Sequence, residues 1–99
     1  MQGVIVVNGH AGRALRKACA PLRVPDVLDC SGHFFVGDRV YIKMRVRDGG
    51  QYAIATGVVR MDASELRTLT GTSVDAAGWP VARTVVMEQD IRLLWRTAS

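Results

Sequence analysis

The segment from Val40 to Arg47 has the clearest hydrophobic pattern in the chain, a strict alternation of apolar and polar side chains. A period of two residues is typical of a β-strand with one buried and one solvated face. The predicted core face carries Val40, Ile42, Met44 and Val46, and the predicted solvent face carries Tyr41, Lys43, Arg45 and Arg47. Asp48-Gly49-Gly50 suits a hairpin turn, so Gln51 to Val59 is predicted to return as the paired strand.

The N-terminal part predicts a strand followed by an amphipathic helix. Gly3 to Val7 is a β-branched run that ends in Asn8-Gly9, and a helix is predicted from His10 to Ala20, before Pro21. One side of this helix is apolar and consists of Ala11, Ala14, Leu15 and Ala18. The opposite side is basic and consists of Arg13, Arg16 and Lys17. The helix is therefore expected to pack its small side chains on a sheet and to present its cations to solvent.

Turn signals separate the remaining short elements. A strand is predicted from Val27 to Cys30, followed by a turn at Gly37-Asp38. Asp62 is predicted to cap a short helix from Ala63 to Leu66, with Glu65 completing a capping box and Gly71 ending the segment.

The C-terminal third predicts a long connection and two further strands. Residues 72–83 form the connection, and the strands cover Thr84 to Met87 and Ile91 to Trp95. Trp79 and Trp95 are expected to anchor these segments on the core. Residues 1–99 are therefore predicted to form a single, mostly β domain, a pseudo-barrel of about six strands with one basic amphipathic helix and one short helix.

Charge is concentrated in the first half of the chain. The 99 residues contain 13 Lys and Arg and 9 Asp and Glu, for a net charge of +4. Residues 1–47 hold eight basic and three acidic side chains, whereas residues 48–99 hold five and six. A clustered basic surface attracts phosphate, which makes nucleic acid a candidate partner, although a solvated basic surface without a ligand has the same composition.

Motifs for catalysis, metal binding and cofactors are missing from the sequence. The spacing of Cys19 and Cys30 matches neither a zinc site nor a redox motif, so both are expected to be small buried apolar residues. His10 and His33 have no Cys, Asp or Glu at the spacing of a metal-ligand pair. No phosphate-binding loop or nucleophile motif occurs, so neither a catalytic residue nor a cofactor is predicted. The longest early apolar run, Val4 to Val7, is too short for a membrane span or a secretory signal, and a cytoplasmic location is expected.

A central motif resembles the signature of the PUA domain, a small pseudo-barrel found in RNA-modifying enzymes. The motif comprises Gly32, Phe34, Gly37, Asp38 and Val40, followed by Ile54-Ala55 and Gly57. In such a fold Gly37-Asp38 would form the turn before a strand, Phe34 would fill the barrel, and Ala55 with Gly57 would allow close backbone approach. These roles of the motif residues are structural, so the motif identifies a fold rather than a functional site.

The flanking segments resemble the PUA domain at the C-terminus of glutamate 5-kinase. These segments are Val7 to Leu15, Ser64-Glu65-Leu66 with Gly71, and Val85 to Asp90. The resemblance implies an appendage, regulatory, protein-contacting or RNA-binding, of an amino-acid kinase domain that phosphorylates the γ-carboxylate of glutamate in proline synthesis. The chain begins directly at a strand, which favours an excised domain. The PUA domain of a pseudouridine synthase or an archaeosine transglycosylase remains the alternative.

In RNA-binding PUA domains the first helix and an adjacent strand contact the nucleic acid. Carried over by position, the resemblance implies structured RNA as the partner, with neither DNA nor a membrane. The candidate contacts are Arg13, Arg16 and Lys17 on the helix and Tyr41, Lys43, Arg45 and Arg47 on the strand. Because most of these side chains are cationic and only Tyr41 is aromatic, binding is expected to depend on salt and only weakly on sequence.

Overall fold

Six strands and two α-helices make up the part of the chain that the computed structural model describes, namely residues 3–18, 20–70 and 83–94. In chain order they are β1 (Gly3–Val7), α1 (Gly9–Ala18), β2 (Leu22–Arg23), β3 (Val27–Gly32), β4 (Arg39–Arg45), β5 (Gln51–Val59), α2 (Ala63–Thr70) and β6 (Thr84–Leu93). One turn of 3₁₀-helix, Val24–Asp26, joins β2 to β3.

The strands form one sheet in the order β2-β6-β5-β4-β1-β3. Strands β1 and β4 run parallel, and the other neighbouring pairs are antiparallel. The two outermost strands, β2 and β3, are separated in sequence only by Val24–Asp26. A three-residue link can join opposite edges only if the sheet curls round on itself. The predicted mostly β pseudo-barrel is therefore confirmed.

The concave side of the curled sheet encloses the core. Ile5 and Val7 of β1 are fully buried and lie in register with Ile42 and Met44 of β4. The alternation predicted for β4 is present, because Val40, Ile42 and Met44 are buried whereas Tyr41 and Lys43 are half-buried on the convex side. The convex side of β4 is thus partly exposed to solvent, as the period of two residues predicts.

The signature residues occupy the positions that their chemistry suggests. Phe34 is 2% exposed and belongs to the core. Gly37 has a φ of +93°, a conformation that side chains with a β-carbon disfavour, and its N–H donates to the Val59 carbonyl at 2.9 Å. Asp38 holds the same turn, because its carboxylate accepts the Phe35 N–H at 2.9 Å.

Close packing explains the second half of the signature. A β-carbon placed on Gly57 would lie 2.6 Å from Cγ1 of Val86 and 3.3 Å from Cδ1 of Ile42. Ala55, two residues earlier, is fully buried. Strand β5 lies between β4 and β6, so small residues here let the neighbouring strands fill the barrel with their own side chains.

Several element boundaries differ from those predicted. Thr84 to Leu93 is one continuous strand rather than two, because both of its halves pair with β5. Its register shifts between Val86 and Ile91, and this irregularity accommodates the polar residues Glu88, Gln89 and Asp90 that suggested a break. Strand β2 was not predicted, since two residues are too short to show a period.

Both helices also differ in extent from the prediction. Helix α1 begins one residue earlier, at Gly9, and Ala20 is not helical. Helix α2 continues to Thr70 instead of ending at Leu66, and buries Leu66 while Leu69 packs on the core. The predicted capping box is wrong: the Asp62 carboxylate accepts the Val36 N–H at 2.9 Å, and Glu65 forms an ion pair with Arg83.

The ends of β4 and β3 also differ from the prediction. Strand β4 ends at Arg45, so Val46 and Arg47 belong to the turn, in which Gly49 has a φ of +87°. Strand β3 extends two residues beyond Cys30 to Gly32. The predictions for Cys19, Gly71, Trp79 and Trp95 lie outside the described residues. Cys30 is buried as expected, and burial raises the pKa of its thiol.

Candidate nucleic-acid interface

Helix α1 is positioned by a cap at its first turn and by a close contact with β4. The side-chain oxygen of Asn8 accepts the Ala11 N–H at 2.7 Å, which satisfies one of the free amides at the helix start. Ala11 and Leu15 are buried in the core, and Gly12 lies directly against the side chain of Met44. The absence of a side chain at Gly12 therefore lets the first two turns of α1 approach the end of β4.

This approach creates an open groove of about 720 Å³ between α1 and the β4–β5 hairpin. Helix α1 contributes His10 and Arg13, and the end of β4 with the following turn contributes Arg45 and Arg47. The remaining lining residues are apolar or uncharged: Asn8, Gly9, Leu28, Met44 and Val46. We call this site the arginine groove. Three guanidinium groups that lie up to 34 residues apart in sequence thus line one surface.

The arginine groove contains no acidic side chain among its lining residues. The ion pair found among the described residues joins Arg83 to Glu65, and neither residue lines the groove. Arg13, Arg45 and Arg47 are all exposed. Their charges are therefore free to attract an anion from solvent, and a concave wall concentrates that attraction.

The three cations predicted on helix α1 lie at two different places on the surface. Arg13 lines the arginine groove, and its guanidinium folds back over Gly9, where a β-carbon would lie 3.2 Å from Nη1. Arg16 and Lys17 are exposed on the last turn of α1 and are not among the groove residues. The structure therefore separates a groove cation from two cations of the same helix that lie outside it.

The predicted strand residues also divide into two sets. Arg45 and Arg47 reach the arginine groove, whereas Tyr41 and Lys43 lie on the convex side of the sheet. Tyr41 is in register with Val4 of β1 and Thr56 of β5, and Lys43 is in register with Val6 and Ala53. The period of two residues correctly placed these side chains on one face but could not show that the face bends into a groove at Arg45.

Two further cations were missed by the sequence analysis. Arg39 shares the convex face with Tyr41, and its Nη1 donates to the Thr56 hydroxyl at 3.1 Å. Arg92 of β6 is exposed and in register with Thr56. Arg39 precedes the predicted start of the strand by one residue, so an extension of the same alternation would have found it. Arg92 could be found only from the pairing of β5 with β6.

A second groove, of about 440 Å³, lies on the other side of α1. Ala14 and Leu15 line it together with Leu22, Arg23, Pro25 and Asp26, and the Arg23 N–H donates to the Asp26 carboxylate at 3.2 Å. Its charged residues, Arg23 and Asp26, balance each other. This site lacks the uncompensated charge that distinguishes the arginine groove.

The described residues contain neither a metal-binding cluster nor a membrane-spanning helix. Within residues 3–18, 20–70 and 83–94, no three His, Cys, Asp or Glu side chains cluster closely enough to hold a metal ion. None of the helices in that part of the chain has the length and apolar character needed to cross a bilayer.

Curated proteins match this chain in sequence over most of its length. Glutamate 5-kinase of Xylella fastidiosa, in strain M12 and equally in strain M23, is 31% identical over 96 residues. The match covers 93% of this chain and 25% of the kinase, so the chain spans about a quarter of the length of these curated relatives.

Solved structures share the fold. A PUA domain protein from Aeropyrum pernix K1, solved as a tartrate complex, superimposes with a TM-score of 0.64 at 25% identity and covers 88% of this chain and 42% of its own. NSun6 from Pyrococcus horikoshii superimposes with a TM-score of 0.55 at 22% identity over 99% of this chain and 22% of its own. Residues 3–77 match the PUA domain family itself. Because that match spans well over half of the sequence and the curled sheet agrees with it, the chain belongs to the PUA domain family.

Proposed function

We propose that this PUA domain binds RNA through the arginine groove, and that it does so as an appendage of a glutamate 5-kinase. The observation that carries the proposal is the convergence of Arg13, Arg45 and Arg47 in one open groove without an acidic lining residue. The domain itself has no part in phosphoryl transfer under this proposal, and its role is to bring RNA to the protein that contains it.

Guanidinium groups suit this role because of their geometry. Each presents several N–H donors in a plane and pairs with two oxygens of one phosphate at once. The groove offers three such groups and, apart from the imidazole of His10, no aromatic ring, so it favours the RNA backbone over the bases. Contacts of this kind give strong salt dependence and weak sequence preference.

The glutamate 5-kinase assignment rests on the 31% identity that covers 93% of this chain. Since the chain spans a quarter of those relatives, glutamate phosphorylation and its place in proline synthesis are proposed for the whole protein, not for this domain. The alternative is the PUA domain of an RNA-modifying enzyme. The likeness to NSun6 supports the shared fold for that alternative.

A pair of matched variants tests RNA binding at the groove. Arg13→Ala/Arg47→Ala removes two positive charges from the arginine groove, whereas Arg16→Ala/Lys17→Ala removes two from the exposed end of the same helix. Affinity for a fluorescein-labelled RNA hairpin is measured at about 50 mM salt. The proposal predicts that the first variant binds much more weakly than the second. Equal losses in both variants, or no binding by the unmodified domain, would reject the groove as the RNA site.

A second candidate function is contact with a kinase domain, and a different surface favours it. Phe35 and Val36 are 67% and 62% exposed at the tip of the turn that Asp38 and Asp62 hold by hydrogen bonds. A rigid turn with two exposed apolar side chains suits a protein contact. If Phe35→Ser/Val36→Ser abolishes association with a separately supplied amino-acid kinase domain while RNA does not bind at all, this candidate replaces the first.

A further inference from the structure

His10 lies between the two grooves that flank helix α1. Its side chain is exposed, and it lines both the arginine groove and the second groove of about 440 Å³. Arg13 follows three residues later in the same helix, so the imidazole and this guanidinium project from neighbouring positions of one helix face. His10 is therefore placed where a change in its charge alters the potential of the arginine groove.

The charged groups that face His10 differ between the two grooves. Towards the arginine groove they are all cationic, namely Arg13 of α1, Arg45 of β4 and Arg47 of the following turn. Towards the second groove they are Arg23 of β2 and Asp26 of the 3₁₀-helix, which carry opposite charges. Asp26 is thus the acidic side chain that could pair with a protonated His10.

The structure does not pair Asp26 with His10. The Asp26 carboxylate accepts the Arg23 N–H at 3.2 Å, and no ion pair joins it to His10, although the structure describes both residues. A proton taken up by His10 therefore adds a positive charge that the acidic side chain nearby does not neutralise. The arginine groove would then be lined by four cations instead of three.

Histidine is suited to add such a charge in response to pH. It is the side chain whose charge ordinarily changes between pH 5 and 8, and its protonated ring donates from both nitrogens. The phosphodiester groups of RNA remain ionised throughout this range. A phosphate near the imidazole favours the protonated ring, and by linkage the protonated ring binds phosphate more tightly.

We infer that His10 is a fourth, proton-dependent cation of the arginine groove, so that the domain binds RNA more tightly at about pH 5.5 than at about pH 8. This inference rests on the proposed function, because it describes the regulation of the same site. The guanidinium groups of Arg13, Arg45 and Arg47 keep their charge at both pH values and supply the affinity that does not depend on pH. His10 adds the part that does.

The second histidine of the chain provides a matched control. His10→Gln and His33→Gln each remove one exposed imidazole, but His33 lines neither groove. Affinity for the fluorescein-labelled RNA hairpin is measured at about pH 5.5 and about pH 8 in about 50 mM salt. The unmodified domain and His33→Gln should bind about two- to fivefold more tightly at the lower pH, the contribution of one exposed ion pair. His10→Gln should bind equally at both.

Salt dependence provides a second readout of the same contact. In the unmodified domain the slope of log K against log salt should be steeper by about 0.9 at the lower pH, because one further phosphate is contacted. His10→Gln should show one slope at both pH values. His10→Lys carries its charge at both, so at about pH 8 it should match the affinity of the unmodified domain at about pH 5.5.

The outcomes separate this inference from the proposed function. Affinity of the unmodified domain that does not rise at the lower pH, or a rise that His10→Gln keeps or His33→Gln removes, would overturn the inference. RNA binding in the groove would still stand in that case if Arg13→Ala/Arg47→Ala binds much more weakly than Arg16→Ala/Lys17→Ala. If the hairpin binds the unmodified domain at neither pH, both the inference and the proposed function fail.

Discussion

Phe34 and Phe35 are neighbours in the sequence with opposite surroundings, because Phe34 is 2% exposed and Phe35 is 67% exposed. Phe34→Ala should lower the free energy of unfolding by about 3–5 kcal/mol, since a core that loses a buried ring relaxes only in part around the cavity. Phe35→Ala is the matched control and should change stability by less than about 0.5 kcal/mol. Denaturant unfolding measures both. A smaller loss for Phe34→Ala than for Phe35→Ala would show that the signature turn is placed wrongly.

The buried thiol of Cys30 gives stability a dependence on alkaline pH. Burial raises its pKa above the ordinary value near 9.0, while the nearby Arg67 opposes this. The fold therefore favours the neutral thiol, and its contribution is complete below pH 9.0 and is lost as the pH rises through the folded pKa. The difference in unfolding free energy between the unmodified protein and Cys30→Ala should shrink from about pH 7 to about pH 10. A constant difference would contradict the raised pKa.

The Asn8 side chain caps the first turn of helix α1. Asn8→Ala removes the acceptor for the Ala11 N–H and should cost about 0.5–2 kcal/mol, whereas Asn8→Asp keeps an acceptor and should cost less. Thermal unfolding of the two variants provides the comparison. Equal stability of Asn8→Ala and the unmodified protein would mean that packing of Ala11 and Leu15 alone sets the helix start.

Elements that carry a strong local pattern could be predicted from the sequence. Strands β1 and β5 begin and end where expected, at Gly3–Val7 and Gln51–Val59, and β4 shows the predicted alternation. Helix α2 extends beyond the predicted turn from Ala63 to Leu66 as far as Thr70, because Leu66 is buried and Leu69 packs on the core. Tertiary packing decided this boundary, and local preference could not.

The irregularities of the sheet could not be read from local patterns. Strand β5 buries four consecutive residues, Ile54 to Gly57, because a register shift opposite Ile42 and Lys43 interrupts the alternation. Strand β6 continues through its polar centre because β5 pairs with both ends of it. Each feature depends on a partner strand that is distant in sequence.

At the scale of the whole molecule, the curl of the sheet determines which cations act together. The sequence placed Arg13 on a basic helix face and Arg45 on a basic strand face, and both positions agree with the structure, whereas Arg47, predicted on the same strand, lies in the turn after β4. It could not show that Gly12 against Met44 brings Arg13 to the end of β4, nor that Arg16 and Lys17 remain apart. The three arginines of the groove were therefore among the predicted candidates, whereas their grouping apart from the other candidates required the fold.

The salt dependence of RNA binding tests the central claim most directly, because it counts the phosphates that the arginine groove engages. The affinity for the RNA hairpin is measured for the unmodified domain and for Arg13→Ala/Arg45→Ala/Arg47→Ala at a series of salt concentrations from about 50 mM upward. Three phosphate contacts predict a slope of log K against log salt that is flatter by about 2.7 in the variant, and Arg16→Ala/Lys17→Ala should keep the slope of the unmodified domain. A slope that the triple variant leaves unchanged, with the fold intact, would contradict RNA binding in the arginine groove.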